Sequence, residues 1–253
     1  MGNSIDFTAA GQSFRAYRAE PVGPARGAVV VIHEIWGLTD HIKDVTDRFA
    51  AAGYLAVAPD LMDLAGLDAA LLAELGADRS DPAKLAAAQP KIREATAPLR
   101  SPEKAVAIQA GAAAVFDYLH ATAEGAGRTA VVGYCFGGTY SFALAVSEPR
   151  LAGAVPFYGH ANYTAAELAD ITCPVLAFYG EDDHPLTDGL PELIARMKEA
   201  KVDFKYTVFS GAGHAFFNDT NPQTYRVESA AIAWQETLEF LAKHLNYPGR
   251  LAS

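Results

Sequence analysis

The sequence predicts an α/β fold: a mostly parallel, doubly wound sheet with helices on both faces, built as a single domain over residues 1–253. Three observations carry this. Short apolar runs without polar alternation recur along the chain, the pattern of strands covered on both faces. Helical patterns lie between many of these runs, so the strands connect by crossovers and lie parallel. No internal repeat, low-complexity linker or shift in composition marks a second domain, and 253 residues is a length one α/β core reaches undivided.

Ile5 to Ala16, with Gly11 in the middle and apolar residues at Phe14 and Ala16, reads as an N-terminal hairpin. The apolar runs that follow are Ala28–Ile32, Tyr54–Ala58, Thr129–Gly133, Gly153–Phe157 and Pro174–Tyr179, with a more polar one at Phe204–Phe209. From His41 to Ala52, Ile42, Val45 and Phe49 share one helical face, and Asp40 stands where a cap belongs. Ser101-Pro102-Glu103 opens a second helix with an N-cap and a Pro at its first position, running to about His120. A further helical pattern spans Thr139 to Val146. The last, Thr224 to Leu245, aligns Val227, Ala231, Trp234, Leu238, Leu241 and Leu245 in the stripe of a helix lying on a sheet. Leu61 to Arg100 is rich in Ala and Leu, carries no strand signal, and is broken by Pro82, Pro90 and Pro98 into short helices. Such an insertion either covers the carboxyl edge of the sheet, where open α/β proteins bind ligands, or packs at the side.

Thirty acidic against twenty basic residues leave a formal charge of −10, a field that repels nucleic acid and anionic membrane surfaces. The longest apolar run, around Ala28 to Ile32, is far short of the roughly 20 residues of a spanning helix. Residues Met1 to Asp6 show neither the basic and apolar regions of a signal peptide nor a myristoylation pattern, so no signal or lipid anchor is expected. The two cysteines, Cys135 and Cys173, are too few for a disulfide framework and are expected as thiols in a reducing cytoplasm.

The segment Thr129 to Gly138 carries the chemistry. Gly133-Tyr134-Cys135-Phe136-Gly137 is a G-x-C-x-G variant of the nucleophile elbow, in which a strand turns sharply into a helix with the nucleophile strained at the tip. The glycines are mechanical, because side chains two residues either side of Cys135 would keep strand and helix apart. The elbow also aims a helix N-terminus at the sulfur, favouring a thiolate and a developing oxyanion. A nucleophile needs a base, and an imidazole needs an orienting acid. Glu181, Asp182 and Asp183 follow one apolar strand, and His214 lies in a Gly-rich loop after the next. The order Cys135, Asp183, His214 is nucleophile, acid, base, each after its own strand.

These segments resemble the dienelactone hydrolase family of α/β-hydrolases, from about Val29 to Leu245. The resemblance rests on Gly-Tyr-Cys-Phe-Gly-Gly at 133–138, Gly180-x-x-Asp183, Gly213-His214-Ala215-Phe216 and His33-Glu34-Ile35-Trp36-Gly37. Cysteine in the elbow sets this family apart from the larger esterase and lipase group. The resemblance implies an α/β-hydrolase fold with 61–100 as a short helical insertion. It also implies hydrolysis of a carboxylic ester, lactone or thioester through an acyl-thioenzyme. Counting three from Gly180 selects Asp183 as the triad acid, with Asp182 the alternative. By the same resemblance the Ile35 and Phe136 backbone N–H groups form the oxyanion hole, and Tyr158 faces the site. Glu34 is placed near the thiol, where its charge would hold the sulfur protonated until substrate displaces it. Trp36 and Phe217 line the substrate pocket or fill the core. His33 is read as structural and His184 as a neighbour.

Dienelactone-cleaving members carry an arginine that grasps the substrate carboxylate, and the corresponding position, four beyond His214, is Asn218. That contact is therefore not expected, and Arg93 and Arg100 of the insertion are the candidate replacements. No metal, nucleotide or flavin is implied, since the chain shows no Cys/His metal spacing, P-loop or dinucleotide fingerprint. The expected partner is a small-molecule ester, lactone or thioester. A non-catalytic ligand-binding or regulatory protein of this fold would be marked by loss of a triad member, and none is missing. A redox-sensing thiol protein would want a resolving cysteine near Cys135, and Cys173 starts a different strand.

Overall fold

An eight-stranded sheet forms the centre of the computed structural model, which describes residues 2–77 and 81–245. The strands are β1 (Asn3–Ala9), β2 (Gln12–Ala19), β3 (Ala28–Ile32), β4 (Leu55–Pro59), β5 (Thr129–Tyr134), β6 (Gly153–Phe157), β7 (Val175–Gly180) and β8 (Phe204–Phe209). They lie in the order β1-β2-β4-β3-β5-β6-β7-β8. The β1–β2 hairpin and the β2–β4 pair are antiparallel, and every pairing from β4 to β8 is parallel. Ala10 and Gly11 make the hairpin turn, both at positive φ (49° and 74°), as a two-residue turn matched to strand twist requires. Every residue of β3 to β7 is buried, which is why these strands read as unbroken apolar runs.

The helices are α1 (Asp40–Ala51), α2 (Leu61–Ala65), α3 (Ala69–Ala77), α4 (Pro82–Ala95), α5 (Pro102–His120), α6 (Phe136–Ser147), α7 (Ala165–Leu168), α8 (His184–Thr187), α9 (Leu190–Glu199) and α10 (Val227–Leu245). The β3–α1–β4 crossover runs one way along the sheet; those through α5 and α6 run the other. Right-handed crossovers therefore place α1 on one face and α5 and α6 on the opposite one. The α10 helix joins α1, the rings of Phe49 and Trp234 lying 4.7 Å apart. Among the described residues, no helix is long and apolar enough to cross a membrane.

Several local expectations are corrected. Thr39, not Asp40, is the N-cap of α1; Asp40 occupies the first turn, where its charge complements the helix dipole. Pro90 does not end a helix but lies inside α4, which Asp81 caps by accepting from the Ala83 and Lys84 N–H groups. Loss of one backbone bond at Pro90 is absorbed among good helix formers on an exposed turn. The α10 helix starts at Val227 rather than Thr224, and its buried stripe is Ala230, Ala233, Thr237, Leu241 and Leu245. Val227 and Ala231 are exposed, so the helix docks through its small residues, a face that a search for large apolar side chains overlooks.

Candidate active site

Loops at the carboxyl ends of β3, β5, β6, β7 and β8 bring the candidate groups to one edge of the sheet. Between β5 and α6, Cys135 sits at φ 57° and ψ −111°, a strained conformation for a residue with a side chain. The glycines around it permit close approach. A Cβ on Gly133 would come within 2.0 Å of the Gly137 carbonyl oxygen, and one on Gly137 within 2.1 Å of the Ile32 carbonyl oxygen. Two backbone bonds hold the turn: Cys135 N–H donates to the Phe157 carbonyl and Gly137 N–H to the His33 carbonyl, both at 3.0 Å.

His214, in the loop after β8, places Nε2 3.0 Å from Cys135 Sγ, while Nδ1 lies 2.6 Å from Oδ2 of Asp183. Asp183 is buried and Asp182 exposed, so the adjacent acids face different environments. His184 is also exposed, beside Asp188 rather than His214. Burial is the largest influence on the His214 imidazole and pulls its pKa down. The hydrogen bonds and charges of Asp183 and Cys135 together outweigh it and lift the group to about 10.

A cavity of about 570 Å³ opens beside the sulfur. Cys135, His214, Ile35, Phe136 and Tyr158 all border it. Phe136 is the first residue of α6, so its N–H has no acceptor within the helix. The opposite wall comes from Ala105 and Gln109 of α5, one helical turn apart, and from Leu99. The insertion thus reaches the site through Leu99, whereas Arg93 and Arg100 are exposed and border no part of this cavity. Tyr140, one turn beyond Phe136 on α6, and Tyr163, in the loop after β6, complete the aromatic lining. Sequence reasoning named neither; the four-residue spacing from Phe136 on a helix is the signal that could have found Tyr140, and no such signal marks Tyr163.

Two aromatic residues fall elsewhere. Trp36 borders a separate pocket with His41 and Leu72. Phe217 is buried, stacked 5.1 Å from Tyr134 and tilted against Phe157 at 5.1 Å, and belongs to the core. Both were expected at the substrate pocket or as core filler, and neither borders the cavity at Cys135.

Glu34 is buried, but its bonded partner is not the thiol. Oε2 accepts from Asn218 Nδ2 at 2.7 Å. Asn218 Oδ1 accepts from the N–H and hydroxyl of Thr220, at 3.1 Å and 2.7 Å, which fixes the amide with its NH2 toward Glu34. The adjacent Asp219 pairs with Arg48 and His41, tying this segment to α1. Sequence reasoning marked Asn218 only as a departure and missed it as the partner of Glu34. His33 is fully buried: its Nε2 accepts from Leu61 N–H, and Nδ1 lies 2.6 Å from the Glu34 carbonyl. Burial lowers its pKa, so it is a neutral structural imidazole. Among the described residues, no group of three or more His, Cys, Asp or Glu side chains is arranged to hold a metal ion.

The profile of the dienelactone hydrolase family matches residues 14–245. A candidate carboxymethylenebutenolidase of Saccharolobus solfataricus is 32% identical over 257 residues, covering 96% of this chain and 99% of its own. A candidate 2-oxo-3-(5-oxofuran-2-ylidene)propanoate lactonase of Bradyrhizobium sp. is 32% identical, covering 95% of this chain and 94% of its own. The crystal structure of a candidate dienelactone hydrolase from Klebsiella pneumoniae superposes with a TM-score of 0.78 at 25% identity, covering 96% of this chain and 98% of that one. With the strand order and the match over most of its length, the chain has the α/β-hydrolase fold and belongs to the dienelactone hydrolase family of hydrolases.

Proposed function

We propose that this protein, acting as a single domain, hydrolyses a carboxylic ester, lactone or thioester through the triad Cys135, His214 and Asp183. The observation that carries the reading is the relay from Asp183 Oδ2 to His214 Nδ1 (2.6 Å) and from His214 Nε2 to Cys135 Sγ (3.0 Å), beside an open cavity. The relatives named for carboxymethylenebutenolidase and lactonase chemistry support an ester or lactone as the substrate class. The two cysteines, with no disulfide between them, support a reducing compartment such as the cytoplasm.

In this reading the Cys135 thiolate attacks the carbonyl carbon. The oxyanion accepts from the N–H groups of Ile35 and Phe136, each worth on the order of 3 kcal/mol of barrier. The carbon–oxygen bond breaks, and the proton on His214 Nε2 passes to the departing alkoxide. His214 then takes a proton from water, whose oxygen attacks the thioester and releases the acid and the thiolate. Asp183 fixes the tautomer and stabilises the imidazolium. Tyr158, 5.1 Å ring to ring from His214, packs the imidazole in place. A gating role for Glu34 requires its carboxylate to leave Asn218 and approach the sulfur.

Cys135→Ala tests the assignment: ester turnover is lost while the melting temperature stays within a few degrees. Cys173→Ala retains turnover. Substantial activity in Cys135→Ala would reject the nucleophile.

A further inference from the structure

The last strand of the sheet is an open edge. Among the described residues β8 pairs only with β7. Asp203 and Phe209 turn their carbonyls to that neighbour, accepting from the Val175 and Glu181 N–H groups at 2.9 Å each. Strand alternation therefore sends the backbone N–H and C=O groups of Phe204, Tyr206 and Val208 away from the sheet. Their side chains share one face: the Phe204 and Tyr206 rings stack at 5.7 Å, and Tyr206 and Val208 are 43% and 40% exposed. On the other face the Thr207 hydroxyl donates to Glu236 of α10 at 3.0 Å, and Lys205 lines a groove with the same Glu236. Ile232, one turn before Glu236, is also exposed. An open edge that carries apolar side chains is a template for another strand.

We propose that β8 is the interface of a homodimer, pairing antiparallel with β8 of a second copy about a two-fold axis at Tyr206, so that two eight-stranded sheets join into one. This goes beyond the proposed function and does not depend on it. The register follows from the backbone. Only outward-facing residues can exchange hydrogen bonds across the edge, and with the axis at Tyr206 all three do so: Tyr206 opposite Tyr206, and Phe204 opposite Val208 on either side. That places the exposed apolar side chains in an unbroken cross-strand ladder. The intervening pairs set Lys205 of one copy opposite Thr207 of the other, whose hydroxyl holds Glu236, so lysine meets carboxylate at two symmetric places. Charge here matches self-pairing, where an edge lysine otherwise guards against it. The other edge of the sheet shows the contrast. Ser4, Asp6 and Thr8 share an exposed face of β1, and antiparallel self-pairing centred on that strand sets Asp6 against Asp6.

Sedimentation equilibrium of the full chain over the micromolar range is the test, and the expected mass at its upper end is twice the 26.8 kDa of one chain. Tyr206→Lys puts two like charges on the axis and is expected to weaken association by on the order of 30-fold, with circular dichroism unchanged. Val208→Pro removes an N–H that β7 does not use, so the monomer is kept while the ladder loses a bond from each copy. Lys205→Glu and Glu236→Lys each weaken the dimer, and the two together restore it. Val22→Lys, on an exposed loop, leaves it unchanged. Hydrogen exchange gives a readout independent of any variant: the peptide covering 204–209 gains protection as concentration rises. A chain that stays monomeric across the range overturns the inference. So does a dimer that Tyr206→Lys leaves intact, that the paired charge reversal fails to restore, or that adds no protection at 204–209.

Discussion

Gly137→Ala probes the contact on which the elbow depends. An added Cβ would lie 2.1 Å from the Ile32 carbonyl oxygen, 2.6 Å from its carbon and 2.8 Å from the His33 carbonyl oxygen. An ordinary carbon–oxygen contact is about 3.3 Å, so α6 and β3 would have to separate by roughly 1.2 Å. The Gly137 N–H bond to the His33 carbonyl, now 3.0 Å, would then be out of range. Overpacking costs about 1–3 kcal/mol and the lost bond about 1 kcal/mol more, together roughly 2–4 kcal/mol. In a chain of this size that lowers Tm by roughly 5–15 °C. A shift of about 1 Å in the nucleophile costs on the order of 100-fold in turnover. Thermal denaturation and ester hydrolysis are measured on the same preparation. Gly127→Ala is the control: Gly127, unlike the helical Gly137, has positive φ (67°), but nothing lies within 4 Å of its Cβ position, so only about 1 kcal/mol of backbone strain is expected, with turnover kept. If Gly137→Ala melts and turns over like the wild type, close approach does not set the elbow.

Asp183→Asn should lower kcat by about four orders of magnitude through the wrong imidazole tautomer, while Asp182→Asn is mild; the reverse ranking would move the acid to Asp182. Glu34→Gln keeps the shape and removes the charge, so gating predicts faster alkylation of Cys135 by iodoacetamide and slower turnover. A purely structural Glu34 predicts lower stability with the alkylation rate unchanged. The His214 imidazole holds its proton to about pH 10 in the fold and to about 6.5 when unfolded. Its pairing therefore stabilises the fold fully below about pH 6.5, and that contribution is lost as pH rises toward 10. The stability difference between wild type and His214→Gln should shrink across that window under denaturant titration, and a constant difference would contradict the raised pKa.

The sheet was legible because burial on both faces leaves β3 to β7 as unbroken apolar runs. The elbow was legible because its glycines have no substitute at those distances. What escaped has physical reasons. The amphipathic helix α9, with Leu190, Leu193 and Met197 buried, lies in a stretch that the sequence reading left unassigned. The docking face of α10 is set by Ala230 and Ala233, whose small size brings the helix close to the sheet without raising hydrophobicity. Glu34 and Asn218 are separated by 184 positions, and only the meeting of the β3 and β8 loops joins them. Trp36 and Phe217 flank functional segments in sequence, yet strand-end geometry sends one to another pocket and the other into the core.

The central claim is an acyl group carried on Cys135. Rapid quenching of the enzyme in acid during turnover of 4-nitrophenyl hexanoate, followed by mass spectrometry of the intact chain and its peptides, reads that state directly. The account predicts one hexanoyl increment, located on the peptide containing Cys135 and absent from Cys135→Ala. Turnover with the acyl group on another residue, Cys173 included, or hydrolysis that persists unchanged in Cys135→Ala, would contradict it.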